Sequence, residues 1–272
     1  LTEGDAASEL LGIPRSLETF SAIIMVLMGA AAALVALRMR RYLETATSEA
    51  EKRMRAERDL QAAALIQQSL MPSESLVVPG FEIVGWNRPA DDTGGDYFDW
   101  VALGDGRYAV CIADVTGHGL GPAMITCFCR AYARTALRIE RKVTLALQRL
   151  NTELIDDLSD GRFVTFAAVV VGPNDGRVLS TSAGHGPLLI YRYADSMIES
   201  FGADTLPLGV QSTDEEAEAV EHTLSEGDVF LLLTDGFFEW ANPQGEQFGT
   251  ERLREALSKH GRHDAQIGRA HV

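Results

Sequence analysis

From Thr19 to Leu37 the chain runs TFSAIIMVLMGAAAALVAL without one charged residue. As a helix this stretch measures about 28 Å, close to the thickness of bilayer hydrocarbon. So apolar a run has to be buried in protein or in lipid, and its length predicts one membrane-crossing helix over residues 19–37. The flanks set its direction. Arg38, Arg40 and Arg41 follow at once, whereas Glu3, Asp5, Glu9 and Glu18 precede it with Arg15 as the sole cation. Everything after Leu37 is therefore expected in the cytoplasm, on the inner membrane face, with residues 1–18 an extracytoplasmic remnant. A cleaved signal peptide is the competing reading, but its basic cluster should come before the apolar run. The first residue, Leu1 rather than Met, points to a missing upstream segment such as an external sensor.

Residues 38–72 read as a linker. Tyr42 to Leu70 is rich in Ala, Glu, Arg and Gln, has no Gly or Pro, and stops at Pro72, the pattern of one long helix. Leu43, Ala46, Ala50 and Met54 give a thin apolar seam, and Ala62, Leu65, Ile66, Ser69 and Leu70 a fuller one. Such a helix could form a homodimer as a weak coiled coil and transmit a signal, or serve as an exposed spacer whose last two turns pack on the next domain.

After Pro79 short apolar segments alternate with Gly, Asp and Asn, the signature of strands and tight turns. Strands are predicted at Phe81–Asn87, Tyr97–Leu103, Arg107–Asp114, Phe163–Gly172, Arg177–Ala183, Leu188–Tyr193, Ala217–Leu224 and Asp228–Thr234. Helices are predicted at Pro122–Ile139 and Val143–Leu158. Asp105-Gly106 and Asn174-Asp175-Gly176 read as hairpin turns. Runs of strands interrupted by one helical pair argue for an α+β fold with antiparallel sheets. The chain has 39 acidic and 24 basic side chains, a formal charge of −15. That charge repels polyanions, so no nucleic-acid partner is expected, and it suits divalent cations. Cys111, Cys127 and Cys129 read as reduced thiols; a metal site at the Cys-x-Cys pair lacks a histidine or further cysteine at ligand spacing.

Three acidic sites stand where a strand gives way to a glycine-containing turn: Gly94-Gly95-Asp96-Tyr97-Phe98-Asp99, Asp114-Val115-Thr116-Gly117-His118-Gly119 and Thr234-Asp235-Gly236. Asp before Gly is ordinary turn chemistry, as at Asp105. Here, however, Asp114 and Asp235 follow strongly apolar strands, where ionised carboxylates are costly unless something compensates their charge. Further blocks follow in order: Phe163-Val164-Thr165, Ala183-Gly184-His185-Gly186-Pro187, Leu206-Pro207-Leu208-Gly209, Glu239 and Asn242 behind Asp235, and Phe248-Gly249. Ile66-Gln67-Gln68-Ser69-Leu70-Met71-Pro72 precedes them all.

Together these blocks, from Ile66 to about Leu257, resemble the metal-dependent protein phosphatases (PPM, protein phosphatase 2C-like), specifically the bacterial SpoIIE/RsbU-type branch. The resemblance implies an αββα sandwich of two antiparallel sheets over residues 73–265. It implies two Mn²⁺ or Mg²⁺ ions and hydrolysis of phosphoserine or phosphothreonine by a metal-activated water. The family's ligands carry over to Asp96, Asp114 and Asp235, with the main-chain carbonyl of Val115. Asp99 matches a family aspartate as either a ligand or a support behind the ligands. His118 could donate a proton to the leaving hydroxyl, hold a water, or brace its turn. His185 reads as loop architecture, Glu239 and Asn242 as fixing the start of a helix, and Trp240 as packing. The implied substrate is a phosphorylated anti-sigma-factor antagonist of the STAS type in a sigma-factor partner-switching pathway.

One departure stands out. The family ends on a further strand bearing an aspartate pair, one of them a ligand, and nothing similar follows Leu257. Residues 266–272 read as a non-native tail, since Ile-Gly-Arg-Ala-His-Val is the translation of a common sequencing-adapter stretch, so the domain is expected to be truncated. A catalytically silent scaffold that holds a regulatory partner is the alternative. A two-metal nucleotidyl cyclase fits the tether but not the spacing of the blocks.

Overall fold

The computed structural model describes residues 15–89, 93–158, 161–173, 176–212 and 217–262. The remnant up to residue 14, Asn174 and Asp175 of the second turn, and the tail at 266–272 lie outside the described residues. The chain divides into two compact units between Asp59 and Leu60.

The first unit is the larger part of one helix, α1 (Arg15–Leu70). Phe20, Ile23, Met25, Val26, Leu27 and Met28 are all more than half exposed, so no part of the described chain buries the apolar run. By length and composition alone this helix is able to cross a membrane.

The second unit begins with the last turns of α1. Of the expected seam, Ala62, Leu65, Ile66 and Ser69 are exposed and Leu70 turns inward; Leu60, Ala63, Ala64 and Gln67 make up the rest of the inward face. A short ribbon, β1 (Leu76–Val78) with β2 (Phe81–Ile83), follows. Next come β3 (Tyr97–Gly104) and β4 (Arg107–Val115), joined as expected through Asp105-Gly106. Asp105 and Gly106 take φ of 50° and 80°, left-handed values that Asp and Gly tolerate best. Helices α2 (Leu120–Ile139) and α3 (Val143–Asp157) precede β5 (Val164–Val171), β6 (Arg177–Ala183), β7 (Leu188–Tyr191), β8 (Ile198–Phe201), β9 (Val220–Thr223) and β10 (Val229–Leu232). Two further helices, α4 (Asp235–Glu239) and α5 (Gly249–His260), complete the described chain.

The strands form two antiparallel sheets, ordered β3-β4-β5-β6-β9 and β10-β7-β8. Strand alternation explains the layers. On β5, Val164, Phe166, Ala168 and Val170 pack with Cys129, Ala133, Leu147 and Leu150 of α2 and α3. The opposite-parity Val169 and Val171 meet Phe230 and Leu232 of the second sheet. Beyond it, Leu189, Leu231 and Leu233 pack on Leu253 and Leu257 of α5. The order helix pair, sheet, sheet, helix is the αββα sandwich. Cys111 and Cys129 are buried, and burial pushes the Cys129 thiol up to about 12, so it stays protonated.

Predicted strands at Phe81–Asn87 and Ala217–Leu224 are each cut to a few residues. The sequence pattern misses β8 and α5 for one reason. Both are outer elements with one apolar face: β8 mixes Ile198 and Phe201 with Glu199 and Ser200, and α5 buries little beyond Leu253.

Candidate metal centre

Strand register brings two of the carboxylates together. Tyr97 pairs with Ala113, so one further step along the ladder sets Asp96 beside Asp114. Tyr97, Ala113 and Val115 enter the helix-side core, which by alternation turns Asp96 and Asp114 toward the second sheet. There Asp235 opens α4 just after β10, and the Thr234 hydroxyl donates to the Asp96 carboxylate.

The electrostatics are those of an uncompensated anionic cluster. Burial is the main cause that raises Asp96 from 3.8 to about 6; the Asp235 charge adds to it and the Thr234 bond opposes it. Asp114 is pushed up to about 7, first by burial, then by the charges of Asp96 and Asp235, against a bond from the Val115 N–H. Among the described residues, no cation is one of the groups acting on either carboxylate. Bound dications would remove the penalty.

Gly95 leaves the Val115 carbonyl oxygen and the Asp114 carboxylate uncovered. A Cβ there would lie 2.5 Å from the Val115 carbonyl oxygen and 3.1 Å from Asp114 Oδ1. The Gly95 carbonyl is itself anchored, accepting from the Val115 N–H at 3.3 Å and the Thr126 hydroxyl at 2.8 Å. Among the described residues no three His, Cys, Asp or Glu side chains close round one ion by themselves. For an ion to bind here, main-chain oxygen such as that of Val115, and water, would have to complete the shell, as is usual for Mg²⁺ and compatible with Mn²⁺. The all-oxygen donor set fits these hard cations. Gly95→Ala is expected to weaken Mn²⁺ binding by about tenfold or more, measured by calorimetry. It should also cost about 1–3 kcal/mol in thermal unfolding, because the methyl group has no free volume.

The raised carboxylates also fix the sign of a pH effect. Ionising Asp96 and Asp114 destabilises the metal-free fold, so their contribution is full below the ordinary carboxylate pKa and is lost as pH rises through about 6 and 7. Burial holds His185 down at about 4 and lowers His222, and these groups work the other way as pH falls below 6.5. The difference between Mn²⁺ and chelator isolates the carboxylates. The rise in melting temperature on adding Mn²⁺ should be larger at pH 8 than at pH 5, where protons compete for the same oxygens.

Asp99 is not with the other three. It is three residues after Asp96, so its side chain points to the opposite face, where it is 1% exposed. Arg134 Nη1 donates to its two oxygens at 2.8 and 3.2 Å, the Tyr97 hydroxyl at 3.1 Å and the Trp100 N–H at 2.9 Å, with Arg130 Nε 3.6 Å away. His118 lies exposed between Gly117 (φ 96°) and Gly119 (φ 86°), in the loop from Val115 to α2. Glu239 and Asn242 do not begin a helix. Glu239 ends α4, and Asn242 closes a turn whose Gln244 and Glu246 N–H groups donate to its Oδ1 at 3.1 and 2.9 Å; α5 starts only at Gly249. Trp240 is 59% exposed rather than packed.

Three neighbours of the centre were not singled out from the sequence. Gln67, at the inward face of α1, donates to the Gly94 carbonyl at 2.7 Å and accepts from the Gly94 N–H at 3.2 Å. A glutamine on a helix face otherwise made of Leu and Ala was the available signal. Thr126 is hidden in the pattern of α2. Arg162 lies over Gly121, where a Cβ would meet its Nη1 at 2.8 Å. It stands one residue before Phe163, whose carbonyl accepts from the Thr116 N–H at 3.2 Å in the loop that follows Asp114.

Comparisons with known proteins agree with this geometry. A family model for stage II sporulation protein E (SpoIIE) matches residues 104–270. Phosphoserine phosphatase RsbU of Bacillus subtilis is 26% identical over 188 residues, which cover 69% of this chain and 55% of that protein. The chain thus spans about half the length of that curated relative. Among solved structures, the SiaA PP2C domain of Pseudomonas aeruginosa superposes with a TM-score of 0.64 at 22% identity, covering 79% of this chain and 86% of that one. The PP2C phosphatase domain of Bacillus subtilis SpoIIE, solved with a fragment of its regulatory domain, gives 0.52 at 21% identity, covering 62% and 49%. With a sandwich of this topology and a family match over more than half its length, the chain belongs to the SpoIIE family and has the PP2C-like fold.

Proposed function

We propose that this chain is a metal-dependent serine/threonine protein phosphatase tethered to the cytoplasmic membrane by residues 19–37. The observation that carries the reading is the cluster of Asp96, Asp114 and Asp235, drawn from three distant segments and left without a compensating cation among the groups that act on it. The name of the RsbU relative supports phosphoserine as substrate. Asp96, Asp114, Asp235 and the Val115 carbonyl would hold two Mn²⁺ or Mg²⁺ ions. Bound there, the ions would acidify a water and neutralise phosphoryl oxygens.

The chain's own residues do the rest. Thr234 orients Asp96, and Gly95 keeps the Val115 oxygen accessible. His118, on its exposed loop, would give a proton to the departing serine oxygen. Arg162 offers a guanidinium to the incoming phosphate. The substrate proposed is a phosphorylated STAS-type anti-sigma-factor antagonist. Because Gln67 grips Gly94 beside the site, the end of the linker helix is in a position to pass a signal to it.

The test is phosphate release from a phosphoserine peptide by the full chain in detergent, with and without Mn²⁺. Release that requires added metal supports the phosphatase. No release at saturating Mn²⁺, together with metal-independent binding of an unphosphorylated partner, establishes the scaffold instead.

A further inference from the structure

His185 sits where the chain passes from one sheet to the other, between β6 of the five-stranded sheet and β7 of the three-stranded one. It is 3% exposed. Its main chain is clamped: Ser182 Oγ donates to the His185 carbonyl at 2.5 Å and accepts from the His185 N–H at 3.2 Å. The preceding Gly184 has no room for a side chain, since a Cβ would meet Pro207 Cγ at 2.3 Å. The ring therefore has a fixed origin.

Its ring lies at the crossing between the two sheets. Nδ1 is 2.9 Å from the Thr165 hydroxyl, and Thr165 is the residue opposite Asp114 in the ladder between β4 and β5. Nε2 is buried with no hydrogen-bond partner among the described residues. Strand β10 runs antiparallel to β7 with Leu232 opposite Leu188, so the chain leading to Asp235 returns toward His185, and the Leu233 main chain acts on the ring. The Asp235 charge reaches the ring. A neutral imidazole with its proton on Nε2 accepts from Thr165 through Nδ1 and keeps an N–H on the side where the chain runs toward Asp235.

We propose that His185 is the positioning residue that sets the separation between Asp114 and Asp235, by tying the strand end that carries one to the strand end that carries the other. Packing alone is a weak guide to that separation. The two carboxylates belong to different sheets, and sheets packed face to face can slide by fractions of an ångström at small cost, whereas a shared ion tolerates little error. A rigid ring spanning the gap supplies the missing constraint. In the absence of metal it also holds apart two carboxylates that repel one another. The consequence for metal affinity rests on the proposed metal centre; the spacing itself does not.

The test uses the full chain in detergent with His185→Phe, His185→Asn and His185→Gln. Asn retains a group for Thr165, Gln one for Leu233, and Phe only volume. Mn²⁺ binding is measured by calorimetry, and amide hydrogen exchange is measured without metal. His185→Phe should bind Mn²⁺ about ten- to a hundredfold more weakly. Its KM for a phosphoserine peptide at saturating Mn²⁺ should be unchanged, and the Val115 and Asp235 amides should exchange faster than in the wild type even in chelator. Asn and Gln should each restore part of the difference, and they decide the matter if the Phe variant does not fold. Wild-type Mn²⁺ affinity and wild-type exchange in the folded variants would overturn the proposal. A wild-type chain that binds no Mn²⁺ would instead overturn the metal centre, and exchange would then decide the spacing by itself.

Discussion

Asp114→Asn is expected to lower Mn²⁺-dependent phosphate release by more than about a hundredfold while making the metal-free protein more stable. Loss of function follows from removing a charged oxygen at the point where Asp96, Asp114 and Asp235 converge; even residues behind a metal ligand are worth ten- to a hundredfold, and a ligand more. The gain in stability has the opposite origin. Burial and two neighbouring carboxylates push Asp114 up to about 7, so above that pH the ionised side chain is a burden on the apo fold. Asparagine keeps the size and discards the charge. After discounting for partial exposure to solvent, the gain is on the order of 1 kcal/mol at pH 8, a few degrees in melting temperature. Melting curves in chelator and phosphate release in Mn²⁺ should therefore move in opposite directions. A variant that is both less stable without metal and fully active would remove Asp114 from the centre.

Asp99→Asn should give the reverse pattern. Asp99 is the anionic hub under α2, 1% exposed, and it takes bonds from Arg134 and Tyr97 with Arg130 close by. Removing one partner of a buried ion pair leaves the other charge unsatisfied, which costs about 3–5 kcal/mol. The side chains of Arg130 and Arg134 are 22% and 28% exposed, so water takes up part of the loss and the lower end applies. The melting temperature should fall by about 6–12 °C for a domain of this size. Below that temperature, Mn²⁺ affinity should stay at the wild-type value, because Asp99 faces away from the site. A large loss of Mn²⁺ affinity with unchanged melting would return Asp99 to the ligand set.

The aspartates also show how far the sequence could be read. Asp96 and Asp99 stand in one block, and the resemblance offered Asp96 as a ligand and Asp99 as either a ligand or a support. Their difference was legible in spacing alone: three residues apart on a strand means opposite faces, so Asp96 and Asp99 could not share one pocket. The arginines that claim Asp99 were also visible, since Arg130 and Arg134 are one helical turn apart on a helix whose immediately preceding positions, Cys129 and Ala133, are in the core. What no local pattern contained was that this helix face lies over that strand. The same holds for α1. Its helical character was clear from composition, yet the seam was assigned to Ala62, Leu65, Ile66, Ser69 and Leu70, whereas the domain packs against Ala63, Ala64 and Gln67 and, of those five, only Leu70. Gln67 is buried because Gly94 presents both a carbonyl and an N–H to it, a reason found outside the helix.

The amino-acid sequence by itself determined the apolar helix, the alternation of strands, the turn at Asp105-Gly106, the α+β class and the placing of acidic residues at strand ends. All of these depend on interactions within a few residues: periodicity, propensity and the freedom of glycine. Tertiary structure alone decided which carboxylates meet, that Asp96 and Asp114 adjoin through ladder register while Asp235 arrives from the other sheet, and that His185 is buried where the chain passes between the sheets. Those facts depend on contacts between residues up to a hundred or more positions apart. The energy that selects them comes from burying two sheet faces against each other, a property of the assembled layers rather than of any one segment.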